Sequence, residues 1–216
     1  MPLSSSTRIV VIGGTSGIGL AVAHAAAIAG AQVIVGSRAT KVDVTSPASV
    51  TSFFAETGPF DHLVYTAGDE LVRGPITGYD PELAHRFFDV RFFRALDTVR
   101  LALPTLSPHG SITLTAGAAA LRGGAGKLLG SSVGGAVIAA ARSLAVELAP
   151  IRVNVVAPGL TRTPLVAGMP LDQAGAGTLL GRVAEPEDVA RAYLSLMDQD
   201  YITGNVSVVD GGSVLT

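Results

Sequence analysis

Val10-Val11-Ile12-Gly13-Gly14-Thr15-Ser16-Gly17-Ile18-Gly19 holds the residues of this chain best suited to gripping a phosphate. A β-branched run, right for a buried parallel strand, stops at glycines, and an alanine-rich stretch from Leu20 to Ala29 with helical character follows. Strand, turn and helix N-terminus turn several backbone N–H groups and the positive end of a helix dipole toward one anion. In the spacing Gly13-x-x-x-Gly17-x-Gly19, the first glycine permits a tight turn and the second lets backbone approach the ligand. The third packs helix against strand, and Thr15, Ser16 and Ile18 complete the loop. Glycine turns also arise for packing alone, but the strand-turn-helix setting favours a nucleotide.

The elements that must position this loop alternate from end to end. Candidate strands are residues 8–12, 32–35, 62–66, 111–115, 152–156 and 206–209. Candidate helices lie near residues 20–29, 48–56, 81–103, 136–148 and 187–197. Gly30 ends the first helix, while Ser46-Pro47 and Glu185-Pro186 read as helix starts. The alternation predicts an α/β single domain, a doubly wound parallel sheet with helices on both faces. Such sheets bind ligands beyond the carboxyl ends of their strands, so function is sought in the residues just after each strand.

Composition narrows the classes. The chain has 216 residues, 48% of them apolar and 15% charged, which excludes disorder and allows a substantial core. Fifteen basic against seventeen acidic residues give a net charge of −2, which supports neither a nucleic-acid groove nor an anionic membrane surface. The polar stretch Met1–Thr7 lacks the apolar core of a signal peptide, and no run approaches the ~18 continuous apolar residues of a membrane helix. Cysteine is absent, so thiolate chemistry is excluded, and a cytoplasmic location is expected. His24, His62, His85 and His109 are scattered without ligand spacing, so no metal is expected.

Gly13–Gly19, Asp43-Val44, Thr66-Ala67-Gly68, Ser143–Pro150, Arg152-Val153-Asn154 followed by Pro158-Gly159, Thr163 and Gly204–Gly212 carry a resemblance in their order and spacing. The chain resembles the short-chain dehydrogenase/reductase family, nicotinamide-dependent oxidoreductases with a Rossmann-like fold, over nearly its whole length. The resemblance implies that Asp43 and Val44 flank the adenine. It also implies that Thr163, after Pro158-Gly159-Leu160, meets the diphosphate or carboxamide side, and that Thr66, Ala67 and Gly68 line the cofactor; Thr115, which ends a strand, is a further expected cofactor contact. After the second strand stand Ser37 and Arg38 where an acid would accept the ribose hydroxyls of NAD. A guanidinium there suits the extra phosphate of NADP(H), which is favoured over NAD(H). Only Ala39 to Val42 separate Arg38 from Asp43, so the helix that relatives place there is lost, and Val42–Val44 is expected to be a stub of strand.

The resemblance also implies a catalytic serine, tyrosine, lysine and asparagine, and none is present. Aligned back from Ser143-Leu144-Ala145-Val146-Glu147-Leu148, the tyrosine falls at Gly130, the lysine at Gly134, the serine at Gly117 and the asparagine at Arg91. No tyrosine here has lysine four residues later. Arg91 and Lys127 are the substitutes considered, Arg91 to polarise a carbonyl or bind an acid, and Lys127 to place an ammonium near Gly130. Against them stand the ordinary readings of a salt-bridged arginine and a solvated lysine. The glycines at 130 and 134 mean either a helix starting late, near Val133, or a helical face left open to a close neighbour. Residues 163–182, apolar with glycines, read as a substrate lid.

Three functions follow as expectations. The first is an NADP(H)-dependent oxidoreductase that moves hydride to or from a small carbonyl, imine or alkene with a non-standard proton donor. The second is a dinucleotide-binding sensor or assembly subunit without turnover. The third is a non-redox enzyme of cyclisation or elimination. The expected partners are a small-molecule substrate and further copies of the chain, as a homodimer or homotetramer.

Overall fold

In the first strand, β1 (Arg8–Ile12), Val10 and Ile12 join one core cluster and Ile9 and Val11 another, and all four are fully buried. A strand alternates its side chains between faces, so burial of both sets requires a sheet covered on both sides. The computed structural model, which describes residues 3–216, has that architecture. Six parallel strands run in the order β2-β1-β3-β4-β5-β6, with β2 at Gln32–Gly36, β3 at Phe60–Tyr65, β4 at Leu106–Thr115, β5 at Arg152–Pro158 and β6 at Val206–Val209. Helices α2 (Pro47–Thr57), α4 (Arg94–Ala102) and α5 (Leu128–Glu147) contribute Phe54, Val99 and Val137 to the first cluster. Helices α1 (Gly17–Ile28) and α7 (Pro186–Asp198), the latter preceded by the short α6 (Leu171–Ala176), contribute Val22, Val189 and Tyr193 to the second.

Punctuation read from residue types holds. Gly30 follows α1 with a left-handed φ of 98°. The Ser46 hydroxyl accepts the Ser49 amide as α2 opens at Pro47, and Glu185 precedes α7 at Pro186. Arg152 and Asn154 are structural. Arg152 donates to the carbonyls of Leu196 and Met197 at the end of α7, and Asn154 ties β5 to Ile202 and Asn205.

Three expectations are corrected. The segment 81–103 is not one α-helix. It divides into α3 (Pro81–Phe88), a π-helical turn over Asp89–Phe93, and α4. The Tyr65 hydroxyl donates to the Val90 carbonyl at 2.6 Å, giving it a partner outside the helix and stabilising the widened turn. Helix α5 begins at Leu128, not near residue 136, because burial of Val133, Val137 and Ala141 outweighs the cost of its glycines. Val42–Val44 forms no strand. A single 3-10 turn, Arg38–Thr40, is closed by Ser37 N–H to Thr40 Oγ1 at 2.8 Å and Val42 N–H to the Ser37 carbonyl at 2.8 Å. The chain thus reverses before a seventh strand can extend, and β2 is left as the sheet edge.

Candidate active site

Sheet order reverses between β1 and β3, and a cleft of about 1750 Å³ opens beyond the carboxyl ends of the strands. Glycine lets its walls meet. A Cβ on Gly13, whose φ is +87°, would lie 2.7 Å from the Ala67 amide nitrogen, and one on Gly17 would lie 3.2 Å from Thr163 Cγ2. Residues after β1, β3 and β5 are therefore brought into one wall. Ser16 precedes α1 without capping it by its side chain, and the amides of Gly17, Ile18 and Gly19 find no acceptor among the described residues. Their N–H groups, at the start of a twelve-residue helix, form a cradle that suits a diphosphate.

At the β2 edge, Ser37, Arg38, Asp43 and Val44 line the same cleft. Arg38 is exposed and has no carboxylate partner among the described residues. Asp43 accepts from the Thr45 amide at 2.9 Å and the Thr45 hydroxyl at 2.8 Å, which hold its carboxyl below the usual carboxylate range. Pro158, Gly159, Leu160 and Thr163, at and after the end of β5, and Thr66, Ala67, Gly68 and Thr115, at the ends of β3 and β4, line the cleft as well. The Thr115 hydroxyl donates to the Tyr65 carbonyl and accepts from the buried Tyr193 hydroxyl, both at 2.6 Å. It is committed to the scaffold as well as to the cleft.

The family whose description reads enoyl-(acyl carrier protein) reductase matches residues 34–214. A short-chain dehydrogenase/reductase, ATR9 of Stachybotrys chlorohalonatus, is 35% identical over a gapped alignment of 254 positions that covers all of both chains. The chain belongs to the short-chain dehydrogenase/reductase family. Among solved members, a small-chain dehydrogenase in complex with NADPH superposes with a TM-score of 0.93 at 36% identity, covering 97% of this chain and 99% of that one. The MalC reductase/Diels-Alderase of Malbranchea aurantiaca superposes at 0.89 with 30% identity, covering 100% of this chain and 99% of its own.

In this member of the family, Gly117, Gly130 and Gly134 all line the cleft. A Cβ on Gly130 would meet nothing within 4 Å, and one on Gly117 only the Pro158 carbonyl at 3.9 Å. The cleft is hollow at both positions. Gly134 differs, since a Cβ there would lie 2.9 Å from the Ala120 Cβ, on a 3-10 turn over Ala118–Ala120. The turn has settled onto α5 in the space a side chain would need.

Arg91 sits in the π-helical turn and lines the cleft from below Gly68. Its guanidinium pairs with the Asp69 carboxylate, donates to the carbonyls of Asp69 at 2.7 Å and Glu70 at 3.0 Å, and lies 4.0 Å from the Phe87 ring centroid. Burial lowers its pKa to about 10, which leaves it a cation at neutral pH. Nε and one Nη1 hydrogen are left for a ligand. Lys127 is exposed just ahead of α5 and lines the same cleft with no carboxylate partner among the described residues. Residue types allowed a salt-bridged Arg91 without naming Asp69, and gave no place in the wall to Ser213, Val214 and Thr216. The one local signal for the latter is Asp210, whose carboxylate accepts from Gly212, Ser213 and Val214 and folds that segment inward.

Proposed function

We propose that the chain is an NADP(H)-dependent oxidoreductase that moves hydride to or from a small carbonyl, imine or activated alkene without a tyrosine proton donor. The cradle of unpaired amides at Gly17, Ile18 and Gly19 carries this reading, because it opens into the same cleft as the hollow at Gly117 and Gly130. Bound there, the nicotinamide supplies a hydride at one ring carbon. The residues of the chain do the rest. The cradle and Ser16 hold the diphosphate, Arg38 and Ser37 take the ribose phosphate, and Thr163 and Pro158 flank the nicotinamide half. With no phenol at residue 130, the proton passes through water, substrate or Lys127. A positioned general acid contributes ~10²–10⁴-fold and orientation much more, so the geometry supports turnover of substrates that need little acid assistance.

Calorimetric titration with NADPH and NADH tests the cofactor, and loss of the reduced-nicotinamide absorbance over a panel of carbonyls, imines and conjugated alkenes tests the chemistry. Failure of both dinucleotides to bind overturns the reading. NADPH binding with inactivity across the panel assigns the protein as a sensor or assembly subunit. The likeness to a reductase/Diels-Alderase supports a second reading, ring closure in the same hollow. Cyclisation of a diene substrate that proceeds without any change in nicotinamide absorbance would establish it.

A further inference from the structure

We propose that the substrate is an apolar small molecule bearing an anionic oxygen group, seated on a cationic rim of Arg73, Arg122 and Lys127. The proposal rests on the oxidoreductase reading and adds the class of molecule that shares the cleft with the dinucleotide. All three cations line the cleft and are exposed, on the segments that follow β3 and β4. The Gly74 amide donates to the Gly126 carbonyl at 3.1 Å, which joins the loop of Arg73 to the loop of Lys127. Lys127 folds back along Gly124, and Arg122 Nη1 donates to the Ser213 carbonyl at 3.3 Å.

None of the three has a carboxylate partner among the described residues. Of the side-chain carboxylates that line the cleft among the described residues, Asp43 stands at the β2 edge, Asp69 is taken by Arg91, and Glu70 is in no salt bridge. Three cations thus stand with one free side-chain carboxylate in a chain whose net charge is −2, so the rim is not the by-product of a basic protein. The charges on the dinucleotide have their own partners, the α1 amides and Arg38, which follow β1 and β2. The same cleft is lined by the apolar side chains of Leu71, Val133, Leu165 and Met169. The cleft volume of about 1750 Å³ exceeds the ~300–1,000 Å³ of an ordinary single-ligand site, leaving room for a second molecule beside the dinucleotide. A cleft with low-dielectric walls concentrates the field of its rim charges and draws an anion inward.

The test is calorimetry of decanoate, decyl phosphate, decylamine and decanol on the NADPH-loaded protein. Both anions are expected to bind about tenfold more tightly than the amine and the alcohol, with the preference falling as salt is added. The order of the two anions distinguishes a carboxylate from a phosphate. The triple variant Arg73→Gln, Arg122→Gln, Lys127→Gln is expected to lose the preference with NADPH affinity unchanged, and Glu70→Gln to strengthen it. Anions binding no better than decanol, or a preference that survives the triple variant, would overturn the proposal. Should the triple variant not fold, Lys127→Gln and Glu70→Gln decide alone, since they must move anion affinity in opposite directions. If the wild-type protein fails to bind NADPH, the oxidoreductase reading falls, and the same titrations without NADPH still read the rim.

Discussion

Arg38 stands exposed just past β2 and makes no salt bridge among the described residues, so a ribose phosphate placed there meets a guanidinium free to pair. A hydrogen bond to a charged group contributes about 1.5–3 kcal/mol, so Arg38→Ala is expected to weaken NADPH roughly 10- to 100-fold and to spare NADH. Calorimetry of both cofactors on wild type and variant measures this, and an equal loss for the two would assign Arg38 to the diphosphate instead. His62 belongs to the fold, not the cleft. It is buried on β3 with its Nδ1 2.8 Å from Ser111 Oγ, among the charges of Asp61, Arg152 and Asp198. Burial pushes its pKa down to about 4. The folded protein keeps His62 neutral while the unfolded chain binds a proton near pH 6.5. Its contribution is therefore complete above pH 6.5 and is lost as pH falls toward 4, by roughly 3 kcal/mol in all. Denaturant titrations at stepped pH should show that fall in the wild type and a flatter profile in His62→Gln.

Helix α5 shows why glycines with the same sequence spacing have different consequences. Gly130 faces open space at a helical φ, so Gly130→Ala is expected to stabilise the protein by about 0.5–1 kcal/mol through propensity alone. Gly134→Ala places a methyl 2.9 Å from the Ala120 Cβ and is expected to destabilise, as either the 3-10 turn or the helix must shift. Thermal melts of the two variants should move in opposite directions. A rise in both would show that the 3-10 turn gives way freely. The sequence spacing raised this open helical face as one alternative, but the early start of α5 rests on contacts with β4 and β5 contributed from distant parts of the chain. The π-helical turn that carries Arg91 was not legible at all, because the Tyr65 hydroxyl that satisfies Val90 lies 25 residues away.

For the whole molecule, α5 is long and apolar enough by length and composition to suit a membrane, yet Val133, Val137 and Ala141 face the core. Its outer side presents Ala139, Ser143 and Val146, the last 82% exposed. We propose that this side joins copies of the chain in a homodimer or homotetramer. Light scattering should give a multiple of 21.8 kDa for the wild type and a smaller mass for Val146→Glu, and a wild-type monomer would overturn the assembly. Residue types alone determined the alternation of strands and helices and the glycine loop, while the glycines at 117, 130 and 134 stand at catalytic positions only by what the family resemblance implies. Strand alternation, glycine turns and helix caps are local, and each leaves its mark in a few adjacent residues. Only the tertiary structure decided that Arg91 is bound to Asp69, that Gly134 is covered while Gly130 is open, and that Arg73, Arg122 and Lys127 border one cleft. Those relations join residues that are distant in sequence but brought together by packing, and no short-range pattern records them. The glycine loop named the kind of ligand, and the fold decided what stands around it.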